Sequence, residues 1–276
     1  MENNNLVRRT KHLLRLYGFF PKKRLGQNFT VDSDILQRLV LYASLTENDV
    51  VLEVGAGFGF LTQLLSGECK RVVAVEVDPT LVAFLRKHLS RLANVELLEG
   101  NILTVSLPLF NKVVAAPPYS ISSPLLFRLL ERTFDLAVLI LQKEFAERLV
   151  ASVGSKNYGR LTVTVYYRAK VELLDVVPRN MFYPPPDVDS AIVRLKPRSP
   201  PFKVDNEETF FELVRTLLNQ RNKKVRNALI PFLCKLKIDG KRAVELADSL
   251  VYSKKRVREL SPEDFGVLTN EILQKL

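Results

Sequence analysis

The stretch Glu53-Val54-Gly55-Ala56-Gly57-Phe58-Gly59-Phe60 follows an apolar run and precedes an amphipathic one. Glycines at such a strand-to-helix turn let the backbone approach a ligand closely, and the helix N-terminus offers N–H donors without partners. A dinucleotide site asks for G-x-G-x-x-G, with the third glycine packing the helix onto the strand. That position is Phe60 here, which argues against a nicotinamide-dependent oxidoreductase. Glu76 closes the run Arg71 to Asp78, 21 positions after Gly55. A carboxylate there can accept both hydroxyls of an adenosine ribose. Asn101, after Glu99-Gly100, offers a side-chain amide to an adenine amine. Taken singly, these are also a tight turn, an acid at a strand end and a Gly-Asn turn. The ends of adjacent strands face one crevice in an open α/β sheet, so their joint occurrence points to an adenosine-bearing ligand.

The elements that must position these residues are legible as apolar runs alternating with amphipathic stretches. Val50 to Gly55, Arg71 to Asp78, Asn94 to Leu98, Lys112 to Ala116, Leu136 to Leu141, Leu161 to Tyr167 and Ser190 to Leu195 are the strand candidates. Asp32 is placed to cap a helix through Ile35, Leu36, Leu39 and Val40, and Leu81 to Leu89, Pro124 to Glu131 and Glu144 to Val150 also have helical spacing. Buried strands alternating with helices read as a parallel α/β sheet. Pro197, Pro200 and Pro201 then interrupt the chain, and Glu207 to Leu276 is helical in pattern. The expected division is an irregular basic extension over residues 1–20, an α/β domain over 21–198 and a small helical domain over 199–276.

The chain has 276 residues, with 41 Lys and Arg against 30 Asp and Glu, a net charge of +11 that suits an acidic partner, nucleic acid first. Two distant cysteines, Cys69 and Cys234, and two histidines, His12 and His88, give neither a disulfide framework nor a cluster with metal-ligand spacing. Together they suit a reducing cytosol. Met1 to Tyr17 is polar and basic and does not read as a secretory signal. No apolar run approaches the roughly 20 residues of a membrane span. The expectation is a soluble, cytoplasmic protein.

Several longer stretches carry a family resemblance. Arg24-Leu25-Gly26-Gln27-Asn28-Phe29, Glu53 to Thr62, Gln142 to Leu149, Gly154 to Leu161 and Phe182-Tyr183-Pro184-Pro185-Pro186-Asp187-Val188-Asp189-Ser190-Ala191 resemble, over almost the whole chain, the small-subunit ribosomal RNA adenine dimethyltransferases. The E-x-G-x-G turn looks like the S-adenosylmethionine loop of Rossmann-like methyltransferases. The resemblance implies a Rossmann-like α/β methyltransferase domain with a small C-terminal helical domain that helps to bind RNA. It implies dimethylation of two adjacent adenosines near the 3′ end of small-subunit rRNA, on a pre-small-subunit particle, by a monomer and without a membrane. By carry-over, Gln27, Asn28, Thr30, Glu53, Gly55, Gly57, Glu76, Asn101 and Ala116 line the cofactor. Thr30 stands where the family has leucine, so its contact is expected through the backbone.

The family's catalytic motif is N-L-P-Y or close to it, and here that place reads Ala116-Pro117-Pro118-Tyr119. The asparagine position is Ala116, and the usual aspartate at the third strand end is Asn101. The target amine donates its lone pair into the adenine ring. Accepting hydrogen bonds from its hydrogens favours the pyramidal form that can attack a methyl group. Alanine removes one acceptor, and the Pro117 carbonyl can remain. Losing one preorganised polar group costs about 10²–10³ in rate, by analogy with oxyanion-site deletions. Tyr119 and Phe182 are the expected walls of a pocket for an unstacked adenine, although core packing is the commoner fate of an aromatic ring.

Arg221, Lys223, Lys224 and Arg226 lie in a basic run whose Val225 and Leu229 have helical spacing, so a helix is expected to bury one face and display the charges. Lys22, Lys23 and Arg24 form a second basic group. Both are expected to contact the RNA backbone, although a solvated charged face is the usual explanation of such a run. Besides the enzyme, the alternatives are a weakly active or inactive assembly factor, suggested by Ala116, a nicotinamide-dependent oxidoreductase, and a DNA adenine methyltransferase.

Overall fold

The computed structural model describes residues 3–276; Met1 and Glu2 of the basic extension lie outside the described residues. The chain folds as two compact units, one of residues up to Ala146 with Glu172–Pro197, the other of Glu147–Val171 with Arg198–Leu276.

The basic extension is not irregular. It forms helix α1 (Asn3–Leu16), which buries Thr10, Leu13 and Leu14 and partly buries Leu6. Those positions share one helical face, a pattern hidden in the sequence by the cations between them. The chain then turns at Gly18, where the Phe19 N–H donates to Leu14 O, and runs through a short 3₁₀ turn at Lys23–Leu25 into β1 (Phe29–Thr30). β1 pairs antiparallel with β8 (Phe182–Tyr183). Helix α2 (Ser33–Ala43) starts at Asp32, whose carboxylate accepts the Ile35 N–H at 3.0 Å.

The main sheet is built from β2 (Val50–Val54), β3 (Arg71–Glu76), β4 (Val95–Glu99), β5 (Lys112–Ala115), β6 (Leu136–Gln142), β7 (Ala169–Val177) and β9 (Ser190–Pro197), in the order β4-β3-β2-β5-β6-β9-β7. The strands from β4 to β6 pair in parallel, and β9 pairs antiparallel to β6. β2 and β5 are neighbours, yet the chain leaves β2 towards β3 and leaves β5 towards β6. The strand order therefore reverses between them, where ligands bind in open α/β sheets. The connections carry α3 (Phe60–Ser66), α4 (Pro79–His88), α5 (Ser122–Leu130) and α6 (Lys143–Leu149). Val51, Leu52, Val72, Val73, Val113, Val114, Val138 and Leu139 are buried, as strands covered on both faces require.

Leu161 to Tyr167 is helix α7 (Arg160–Arg168), not a strand. Thr162 to Val165 are β-branched and Leu161 to Val165 are all buried, so the helix lacks the exposed polar stripe by which a helix is recognised. The strand in this region is β7, whose half-exposed residues hide an apolar alternation.

The helical unit adds α8 (Glu207–Leu218), α9 (Val225–Lys235), α10 (Gly240–Ser249) and α11 (Pro262–Lys275). Its core joins Tyr158, Val163 and Tyr167 to Phe210, Leu229, Phe232 and Phe265. A boundary at 198/199 assigned residues 147–171 to the first domain; by packing they group with the C-terminal helices.

Candidate active site

The turn after β2 holds the cofactor-loop glycines in the left-handed region, with φ of +78° at Gly55 and +57° at Gly57. At Gly57 space is tight as well, since a Cβ would lie 3.2 Å from the Phe29 ring. Gly26, at φ +62°, plays the same part on the other wall, where a Cβ would lie 3.1 Å from the Pro118 ring. The segment after α1 is thereby pressed against both the loop after β2 and the loop after β5.

These loops enclose a cavity in the first unit. Gln27, Asn28, Thr30, Glu53, Gly55, Gly57, Glu76, Asn101 and Ala116 line it, as do Pro117, Pro118, Tyr119 and Phe182. Several do so with their polar atoms already engaged. The Glu76 carboxylate accepts the Gly57 N–H at 3.0 Å and those of Val77 and Asp78 at 2.9 Å each. A carboxylate has about four lone-pair directions. Three are used, so Glu76 has room for one ribose hydroxyl, and a second needs a shared direction. Burial raises the Glu76 carboxyl above its ordinary range, against the pull of those three N–H groups. Gln27 turns its amide away from a ligand: its Oε1 accepts the Lys22 N–H at 2.7 Å and its Nε2 donates to Asp78 at 2.8 Å. Asn101 Oδ1 accepts the Leu103 N–H at 3.0 Å. Its second lone pair remains for an amine.

Glu53 is 1% exposed, and its Oε2 has no hydrogen-bond partner. Burial, reinforced by the nearby Glu76 charge, pushes its carboxyl up to about 8 against the opposing pull of the Thr62 hydroxyl. An orphaned acid on a cavity wall suits a ligand carrying positive charge, because a cation restores its ionised form. Thr30 Oγ1 is likewise buried and unpartnered. The residues present thus fit a ligand with a ribose, an adenine and a cationic group, which is the donor and acceptor pattern of S-adenosylmethionine.

At the end of β5 the side chain of Ala116 offers no acceptor. Pro117 and Pro118 have no N–H, so the backbone here presents carbonyls only. Pro118 O accepts the Ile121 N–H at 3.1 Å. Among the described residues none donates to Pro117 O. The Tyr119 hydroxyl bonds Ser190 Oγ at the start of β9, and burial raises its pKa. Phe182 lines the cavity, is 4% exposed and belongs to the same buried core cluster as Ile192 and Phe58.

Sequence reasoning missed three supports. Asp78 caps α4 and is bridged to the N-terminal segment by Lys22 Nζ at 2.8 Å and by Gln27. Burial raises the Asp78 carboxyl, but these donors win and hold it below its usual range. Arg128 on α5 donates to Leu103 O at 2.6 Å and Val105 O at 2.7 Å, clamping the loop that carries Asn101. Ser190 anchors Tyr119. No local signal pairs 22 with 78 or 128 with 103, although Ser190 lies inside the Phe182 to Ala191 signature.

The basic residues divide by what they touch. Lys22 is paired to Asp78, whereas Lys23 and Arg24 are exposed. In the helical unit α9 begins only at Val225, so Arg221, Lys223 and Lys224 precede the helix expected to display them. Lys224 is extended at the N-cap and bridges Arg256 through its backbone, which stops the helix there. Arg221 donates to Ser155 O at 2.6 Å and to Lys156 O and Tyr158 O at 2.8 Å each, a structural clamp. Arg226 pairs with Asp248 at 2.9 Å, Lys223 donates to Gln220, and Lys224 is exposed.

With this geometry in place, the comparisons decide the family. A family model described as ribosomal RNA adenine dimethylase matches residues 19–273. The chain belongs to that family. It is 44% identical over 246 residues to a probable ribosomal RNA small subunit methyltransferase A of Methanosarcina acetivorans, covering 88% of this chain and 91% of the relative. A protein with the same description from Methanopyrus kandleri is 45% identical, covering 87% of each. Among solved structures, a dimethyladenosine transferase from Plasmodium falciparum superposes with a TM-score of 0.76 at 31% identity, covering 88% of this chain and 97% of that one. The 23S rRNA methyltransferase ErmE gives 0.68 at 30% identity, covering 90% and 100%. This dimethylase is therefore an rRNA adenine methyltransferase with the Rossmann-like methyltransferase fold.

Proposed function

We propose that this enzyme uses S-adenosylmethionine to dimethylate the exocyclic amines of two adjacent adenosines near the 3′ end of small-subunit rRNA. The observation that carries the reading is the meeting, in one cavity, of the unpartnered Glu53 acid and the hydroxyl-accepting Glu76 with the acceptor-only Pro117-Pro118 turn. When bound, S-adenosylmethionine supplies an electrophilic methyl group on a sulfonium centre. Glu76 and Asn101 would hold its ribose and adenine, Glu53 would face its positive charge, and the Gly55–Gly57 turn would let it sit against the backbone. The Pro117 carbonyl accepts one hydrogen of the target amine and favours its pyramidal form. Tyr119, fixed through Ser190, offers its ring to the unstacked base. A methylated aryl ammonium is strongly acidic, so water suffices to take its proton and no histidine is required.

We read the physiological target as a pre-small-subunit particle in the cytoplasm and the enzyme as a monomer. Among the described residues no helix is long and apolar enough to cross a membrane. Of the basic residues expected to contact RNA, Lys23, Arg24 and Lys224 are exposed and remain available for phosphate contact. Ala116 supports a second reading, an assembly factor that binds cofactor and RNA but methylates poorly. Incubation with labelled S-adenosylmethionine and unmethylated small subunits, followed by nucleoside mass spectrometry, separates the two. Dimethyladenosine supports the enzyme; no methyl transfer despite binding of both ligands supports the assembly factor.

A further inference from the structure

The surface around α1 is unexplained by cofactor binding. α1 contains no acidic residue, and its exposed face carries Arg8, Arg9, Lys11 and Arg15. Among the described residues none of these four has a carboxylate partner. They are also held near the cavity: Arg9 lies over the ring of Phe60, a cavity-lining residue, at 5.1 Å, and Lys11 lies over that of Tyr183, next to Phe182, at 5.2 Å. Beyond the turn at Gly18 the two adjacent phenylalanines have opposite fates. Phe19 is buried against Phe29 and Phe58, whereas Phe20 is 81% exposed. Anchoring by Phe19 fixes where Phe20 stands. The chain continues through exposed Lys23 and Arg24, and Arg24 itself lines the cavity.

An exposed aromatic ring among unpaired cations is the arrangement that binds single-stranded nucleic acid, with stacking on the ring and phosphates on the cations. A target adenosine drawn into the cavity leaves its neighbours unstacked outside, where such a ring is of use. A membrane-surface helix would need its apolar face for acyl chains, and that of α1 is already buried through Leu13 and Leu14. We propose that α1 and Phe20 form a docking surface for single-stranded RNA beside the cavity, with Phe20 the stacking platform for a base flanking the target. The proposal rests on the rRNA reading above and adds to it a surface most of which precedes residue 19, where the family match begins.

The test uses the full chain and two probes, an unmethylated rRNA transcript and a short oligoadenylate. Phe20→Ala weakens binding of both by about five- to a hundredfold, Phe20→Trp restores it and Phe20→Leu does not. The joint change Arg8→Ala, Arg9→Ala, Lys11→Ala and Arg15→Ala lowers the slope of log affinity against log salt by up to about 3, at about 0.7 per cation on a single strand. Cofactor affinity stays at the wild-type value in every variant, which shows that the fold and the cavity survive. Variants that bind both probes as the wild type does, with unchanged salt slopes, refute the surface while leaving the rRNA reading intact. A wild-type chain that neither binds nor methylates the transcript refutes both. Loss of binding to anionic vesicles with RNA binding unchanged makes the occupant a lipid surface and also overturns the proposal.

Discussion

Replacing Glu53 by glutamine is expected to make the ligand-free protein more stable than the wild type at alkaline pH. Glu53 is buried, and its carboxyl is pushed from an ordinary value of 4.5 up to about 8. Between these values the folded state holds a proton that the unfolded chain has released. Stability from this group is thus complete below pH 4.5 and is lost as pH rises through 8. At 1.36 kcal/mol per pH unit, the loss is about 5 kcal/mol. Glutamine has nearly the same shape and no charge to bury, so the variant lacks this slope. The assay is guanidinium unfolding followed by circular dichroism from pH 5 to pH 9, since the chain has no tryptophan to report by fluorescence. The wild type should lose several kcal/mol across that range that the variant keeps. Added S-adenosylmethionine should narrow the difference, because its positive charge lets Glu53 ionise in place. Parallel pH profiles for the two proteins would refute the reasoning and place a counter-charge or water beside Oε2.

Three further outcomes follow from the site. Tyr119→Phe and Ser190→Ala each break one hydrogen bond and should slow methyl transfer severalfold. Their double variant should be little worse than either single one, and additive losses measured in a cycle would show that the two do not act as a pair. Arg128→Gln releases the carbonyls of Leu103 and Val105, so the KM for S-adenosylmethionine should rise about tenfold with kcat changed much less, as steady-state kinetics can read; an equal fall in kcat would contradict a role through the Asn101 loop. Gly57→Ala combines a left-handed φ with a Cβ 3.2 Å from Phe29, and should cost about 1–3 kcal/mol of stability together with cofactor affinity, by thermal unfolding and titration.

Much of the site was legible because it is local. The E-x-G-x-G turn, Glu76 and Asn101 sit at the ends of consecutive strands, and a parallel sheet brings strand ends together whatever the side-chain detail. Strands β2 to β6 and the Asp32 cap were likewise readable from short apolar runs and one capping residue. What escaped was non-local or masked. Leu161 to Tyr167 alternates like a strand but is a helix buried on most sides in the second unit. α1 was hidden because its buried positions, Thr10, Leu13 and Leu14, are interspersed with exposed cations. Arg221 looked like an RNA contact by composition, and only the structure shows its guanidinium engaged by three carbonyls. Gln27, expected to bind the cofactor, lines the cavity, yet its amide serves Lys22 and Asp78.

The central claim is that a carbonyl-only turn and an anchored tyrosine sustain adenine methylation without a side-chain acceptor at position 116. Single-turnover methyl transfer to unmethylated small subunits, with the mono- and dimethylated nucleosides resolved by mass spectrometry, tests it most directly when wild type is set beside Ala116→Asn. Dimethyladenosine is expected from the wild type. The variant should accelerate the first transfer by up to about 10²–10³ and the second, with one hydrogen left to hold, by less. A wild type that transfers no methyl group, or a variant that folds and binds cofactor but gains nothing at the first step, would contradict the claim.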